Sequence, residues 1–215
     1  MTFQTMLSTM ATGMLRTCGI FVLTLIGSLP LGLLIYFARS SKNWLISGIT
    51  KAFIAIIRGT PLMLQLLVVY FGPYYLFEMN IRGWRFPAII VGFIVNYAAY
   101  FAEIYRGGIE SMPVGQYEAA QVLGYTKTQT FIRIILPQVI KRILPSITNE
   151  MITLVKDTSM AFTLAYQEVF SIAKQIAASQ TSFMPFLIAG VFYFAANYVV
   201  AFGMEKVEQS MQYYR

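Results

Sequence analysis

Five apolar segments, at about 13–37, 59–77, 87–105, 142–166 and 184–204, restrict what this 215-residue chain can fold into more than any other feature. Each approaches the roughly 20 helical residues that cross about 30 Å of hydrocarbon. No water reaches a backbone N–H or C=O inside a bilayer, so such spans close their hydrogen bonds internally as helices. Lys156 and Asp157 interrupt the fourth segment, and without it the count is four. Composition points the same way. With 57% hydrophobic residues, 12% charged residues and a mean hydropathy of +0.63, the chain is too apolar for an ordinary soluble domain. There is no internal repeat, low-complexity tract or Gly/Ser linker. The expectation is an all-α polytopic membrane protein, a single transmembrane domain over 1–215 with about five helices.

Residues Met1 to Thr12 carry no charge, and the apolar run that follows is longer than a signal h-region and lacks a small-residue cleavage site, so the N-terminus is expected to be retained. The single cysteine, Cys18, lies in an apolar run and is expected to pack between helices; no internal disulfide can form. With no histidine and one cysteine, a zinc or haem site is not expected. Loops rich in Lys and Arg stay on the cytoplasmic side. If the N-terminus is outside, the inner segments hold Arg39, Lys42, Lys51, Arg58, Arg106, Lys127, Arg133, Lys141, Arg142, Lys206 and Arg215, against Arg16, Arg82, Arg85 and Lys174 outside. This asymmetry predicts an outer N-terminus and a cytoplasmic C-terminus. The net charge of +7 suits anionic lipid and calls for no nucleic-acid partner. Trp84, Tyr74, Tyr75 and Phe86 read as interfacial anchors around an outer loop that Gly83 and Pro87 turn.

The longest polar interruption runs from about 106 to 142 and contains YEAAQVLGYTKTQTFIRIILP, Tyr117 to Pro137. Ala119 and Ala120 favour a helix with a closely approachable surface, Gly124 permits a turn that a Cβ would resist, and Pro137 is expected to end a second short helix. The result would be a compact knob at the membrane surface. The spacing of Glu118, Ala119, Ala120, Gly124, Ile134, Leu136 and Pro137 resembles the EAA loop of ABC-importer permease subunits, in which the knob fits a cleft on a cytoplasmic ATPase. The resemblance implies that Glu118, Ala119, Ala120, Gly124, Leu136 and Pro137 couple this chain to that ATPase.

Further segments carry the likeness. Arg58-Gly59-Thr60-Pro61 followed by Leu62 and Gln65, then Ala102 to Ile109, Pro113-x-Gly115-Gln116, and Lys156-Asp157-Thr158-Ser159 look like permeases of polar amino-acid importers, over roughly 58 to 160. The resemblance implies the arginine/histidine/glutamine branch in a prokaryotic inner membrane. It also implies a two-fold permease dimer, homo- or heteromeric, carrying two ATPase subunits and fed by an extracytoplasmic amino-acid-binding protein. The chain contains no Gly-rich phosphate loop ending in Gly-Lys-Ser/Thr, so ATP and Mg belong to the partner ATPase and this chain is not itself an enzyme.

Physical reading of the same residues gives a candidate substrate path. Arg58 is expected at the headgroups, with Gly59 and Thr60 capping and Pro61 in the first helical turn. Glu103, near the inner end of the third span, either pairs with Arg106 three residues on or serves substrate or gate. Lys156 and Asp157 fall near mid-bilayer, where Asp157, Thr158 and Ser159 are expected to cap a half-helix, with Asp157 meeting the substrate's positive group unless it pairs with Lys156. Asn96, Tyr97 and Tyr100 join the same wall at helical spacing, although Ala98, Ala99 and Ala102 also suit plain helix packing. Gln65 and Met63 complete the group. A basic amino acid (arginine, histidine or lysine) is the expected substrate, with glutamine as an alternative. A secondary carrier using Glu103 and Asp157 for protons or cations is the rival reading, and a scaffold without transport leaves the midplane charges unexplained.

Overall fold

The computed structural model describes residues 2–211; Arg215, counted above among the inner cations, lies outside them. The described residues form helices joined by short connections. α1 (Phe3–Arg39) is capped by Thr2, whose side chain accepts from the Thr5 amide. α2 (Trp44–Gly59) is capped by Asn43, and α3 (Leu62–Phe77) follows after a sharp bend. α4 (Arg85–Glu110) leads into α5 (Val114–Val122) and the single turn α6 (Lys127–Thr130). A π-helical stretch, Phe131–Ile135, joins α6 to α7 (Leu136–Asp157), which tightens into a 3₁₀ helix over Thr158–Leu164. α8 (Val169–Gln180) and α9 (Met184–Ser210) complete the chain.

α1 builds its seam from small and slender residues. Its buried positions are Met6, Met10, Gly13, Thr17, Ile20, Thr24, Ser28 and Gly32, three or four residues apart on one face. A Cβ at Gly32 would come within 2.9 Å of Phe101 Cβ and 3.0 Å of the Ala98 carbonyl on α4, and one at Gly13 within 3.0 Å of Val169 Cα on α8. Without hydrophobic drive between helices in lipid, such close backbone approach is what holds them together. The same device joins α4 to α7, where Gly108 faces Ile143. The main core gathers Ile20, Leu66, Ile89, Phe93, Tyr97, Phe101 and Leu154 around α4.

All five apolar segments fall on helices, but they differ as spans. Among the described residues α1, α4 and α9 are each long and apolar enough to cross a membrane, and α2 with α3 makes a fourth if the pair, bent by 112°, counts as one. α7 does not qualify: it is amphipathic and carries Lys141, Arg142, Glu150, Lys156 and Asp157. Pro61 occupies the N-cap position of α3, just ahead of the first turn where it was expected.

Pro137 does not end a second short helix, contrary to expectation. It sits in the first turn of α7, so α6, the π stretch and α7 form one uninterrupted helix from Lys127. Proline costs little at a first helical turn, where its missing N–H would be unpaired in any case, and the wider π turn just before it accommodates the lost donor. Gly124 does turn the chain, at φ +79°. The knob is therefore an elbow, α5 folded back onto the start of a long helix.

Candidate functional site

α4 and α7 carry the acidic side chains, Glu103 and Glu150, that line the bundle's cavity. On α4, Asn96 is buried and donates to Gln65 Oε1 at 2.9 Å. The Gln65 amide in turn donates to the Ile57 carbonyl at 2.7 Å, the Thr60 carbonyl at 3.1 Å and Thr60 Oγ1 at 2.8 Å. The α2–α3 bend leaves those carbonyls without helical donors, and Gln65 satisfies them. Asn96 and Gln65 are thus brought together, as one linkage tying the bend to α4. One turn on from Asn96, the Tyr100 ring lies 5.2 Å from the Arg58 guanidinium carbon, a cation–π arrangement.

Glu103 is held by more than its i+3 neighbour. Arg106 donates to Oε2 at 2.9 and 3.2 Å, Arg39 from the end of α1 binds Oε1, and Arg58 from the end of α2 stands 3.6 Å away. Arg106 also pairs with Glu110. The Glu103 side chain is only 13% exposed, so this carboxylate is occupied by guanidiniums. Beside it opens a cavity of about 660 Å³ between α4 and α7, lined among others by Arg58, Tyr100, Glu103, Arg106, Arg142, Ser146 and Glu150. Arg142, Ser146, Glu150 and Asp157 follow one another on one face of α7. Sequence reading passed over Glu150, which lacks an oppositely charged residue at helical spacing; its place on the cavity face is set by tertiary packing.

Asp157 stands two turns beyond Glu150, about 10 Å along the axis at 1.5 Å per residue. It is half-buried and outside the cavity lining. Its Oδ2 accepts from the Tyr97 hydroxyl at 2.7 Å, and among the described residues no Lys or Arg lies within ion-pair distance of it. Thr158 and Ser159 do not cap a half-helix N-terminus. Thr158 Oγ1 donates to the Val155 carbonyl at 2.6 Å and Ser159 Oγ to Lys156 at 2.8 Å, so both hydroxyls close the C-terminal end of α7. The reason is local: the chain stays right-handed and tightens to 3₁₀, so no fresh helix start forms there. The cap belongs instead to Glu168, wholly buried, which accepts from the Phe170 and Ser171 amides at 2.7 and 2.6 Å and from Tyr193 at 3.0 Å. A carboxylate immediately before an apolar helical run was the available signal for it.

At the elbow, Glu118, Ala119 and Gly124 are exposed, but Ala120 is buried. Only the first of the paired alanines faces outward. Val122 and Leu123, not singled out from sequence, are 88% and 73% exposed and carry the apolar surface of the elbow. Leu136 and Pro137 are half-buried, and Pro137 lines a groove with Gln116, Arg133 and Gln138. A capping box, Thr126 with Gln129, fixes the elbow's second arm. Among the described residues no group of three or more His, Cys, Asp or Glu could hold a metal ion.

Residues 28–213 match the family described as binding-protein-dependent transport system inner membrane component. The nopaline transport system permease protein NocM of Agrobacterium fabrum is 36% identical over 192 residues, covering 84% of this chain and 78% of that protein. The glutamine transport system permease protein GlnP of Escherichia coli is 34% identical over 201 residues, covering 93% and 91%. Among solved structures, an amino acid ABC transporter crystallised with histidines superposes with a TM-score of 0.87 at 30% identity, covering 98% of this chain and 99% of that one.

Proposed function

Since this chain belongs to the family of binding-protein-dependent transport system inner membrane components and is the permease subunit of an ABC amino-acid importer, we propose that it carries a polar or basic amino acid by alternating access along α4 and α7. The observation that carries this reading is a pair of carboxylates on one face of α7. Glu150 and Asp157 lie seven residues apart, and neither is ion-paired among the described residues. Unpaired acidic side chains are costly inside a membrane bundle and are kept where a cation must be met. A substrate ammonium, or the side-chain cation of arginine, histidine or lysine, supplies that charge. Tyr97 positions Asp157, and Glu103 with its arginines clamps the helix ends at the mouth of the path. Gln65, held by Asn96, shapes the wall with Thr158 and Ser159 through the helix ends they close, while Tyr100 lines the mouth.

The elbow docks a separate ATPase, one on each of two permease subunits, homo- or heteromeric. ATP and Mg are bound there. Glu118, Ala119, Gly124, Val122 and Leu123 form the docking face, with Ala120, Leu136 and Pro137 supporting it from behind. Closure of the ATPase pair draws the two elbows together and opens the path outward toward an amino-acid-binding protein; hydrolysis reverses it. The N-terminus lies outside and the C-terminus in the cytoplasm. Losing one partner of a desolvated charged hydrogen bond costs about 2–5 kcal/mol, so Asp157→Asn and Glu150→Gln should each cut amino-acid uptake at least about tenfold in proteoliposomes while the complex assembles and hydrolyses ATP. Full uptake in both variants would contradict the proposed path.

A further inference from the structure

The cations at and beside the cavity divide into those already committed and those that are not. Arg39 and Arg106 are committed to Glu103, and Arg106 also to Glu110. Arg58 is different: it reaches Glu103 only at 3.6 Å, beyond hydrogen-bond range, and its side chain is 43% exposed over the Tyr100 ring. Arg142 donates through one nitrogen alone, to the Ser111 carbonyl at 2.6 Å and Ser111 Oγ at 3.1 Å. A guanidinium offers five N–H donors in a planar fork, so most of the donors of both residues find no partner among the described residues. Both line the cavity of about 660 Å³, within the roughly 300–1,000 Å³ typical of small-molecule sites. Glu150 lines it too, and among the described residues no Lys or Arg lies within ion-pair distance of it.

We propose that Arg58 and Arg142 form a carboxylate subsite that takes the substrate's α-carboxylate at the cytoplasmic end of its path. This rests on the amino-acid reading above and adds to it the half of the zwitterion that Asp157 and Glu150 cannot hold. A path lined by carboxylates alone would repel the α-carboxylate of every amino acid. Guanidinium forks match a carboxylate in geometry as well as charge, and Arg58, 43% exposed over the Tyr100 ring, is held in orientation with no hydrogen bond to Glu103. The subsite therefore reads the feature that all amino acids share, and leaves discrimination among side chains to the carboxylates of α7.

The test is calorimetric titration of the full-length chain, with the subunits that co-purify with it, in lipid nanodiscs. The probes are L-arginine, L-glutamine and L-histidine, each against its carboxamide, which keeps the ammonium and side chain but lacks the negative charge. The acid of any pair that binds should be favoured over its amide by about tenfold or more, equivalent to about 1.4 kcal/mol. Arg58→Gln should erase most of that preference. Arg142→Gln, which does not touch Glu103, should do the same without disturbing the clamp, and Arg58→Lys should restore part of it. Asp157→Asn should weaken acid and amide alike and keep the preference. Equal binding of acid and amide by the unaltered chain, or an intact preference in both glutamine variants, would overturn the subsite. If Asp157→Asn binds normally while Arg58→Gln loses the preference, the subsite stands and the role given to Asp157 falls. Binding of none of the six probes would overturn both.

Discussion

Glu103 sits where α1 and α4 send their last arginines, with Arg58 of α2 standing off at 3.6 Å, and its value lies in fastening the end of α1 to α4. Removing one partner of a buried ion pair strands the others, at up to about 3–5 kcal/mol. Glu103→Gln should therefore lower the thermal unfolding temperature of the purified protein markedly. Glu110→Gln, at a pair whose carboxylate is 61% exposed, should change stability by no more than about 1 kcal/mol. Equal effects would contradict the clamp. Sequence alone made the Glu103–Arg106 pair legible, because a three-residue spacing puts both on one helical face. Arg39 and Arg58 were not legible as partners, since only the packing of α1 and α2 against α4 brings them there. Asp157 stood out as a charge in an apolar run, yet its partner Tyr97 is 60 residues away, and no local rule joins them.

Two elements carry most of the geometry. The α1–α4 seam depends on absent side chains: Gly32→Leu would drive a side chain into the backbone of α4, where overpacking costs about 1–3 kcal/mol. Reduced yield of folded protein, with Gly19→Leu as a control at a position with open space, would check it; equal behaviour would count against the seam. The second element is the elbow. Gly124 was readable from sequence as a turn because only glycine adopts its left-handed conformation at no steric cost. The direction of the two alanines was not, since a short helix with a weak apolar pattern fixes its buried face through neighbours. Ala119→Trp and Leu123→Asp, on the exposed face, should uncouple ATP hydrolysis from uptake or release the ATPase. Normal uptake with substrate-stimulated hydrolysis in both would remove the elbow from coupling. The end of α7 was misjudged for a related reason: Asp, Thr and Ser favour helix starts, but here the hydroxyls turn back on the carbonyls of a helix that is closing.

For the whole molecule, apolar length and the EAA spacing were enough to give class and family, because hydrophobic thickness and a loop motif are written in contiguous residues. The count and tilt of spans were less legible, since α2 and α3 share a bend of 112° and α7 turns a polar face inward, both consequences of packing. Orientation is testable directly. In a Cys18→Ala background, Thr126→Cys should react with impermeant thiol reagents only from the cytoplasmic side and Asn80→Cys only from outside; the opposite pattern would invert the topology and take the elbow away from a cytosolic ATPase. The most direct test of the central claim is a cryo-electron microscopy structure of the assembled transporter with bound amino acid. The account predicts substrate density between α4 and α7, with a positive group about 3 Å from the carboxylate of Asp157 or Glu150. Substrate bound elsewhere, with Asp157 turned into an ion pair with Lys156, would contradict it.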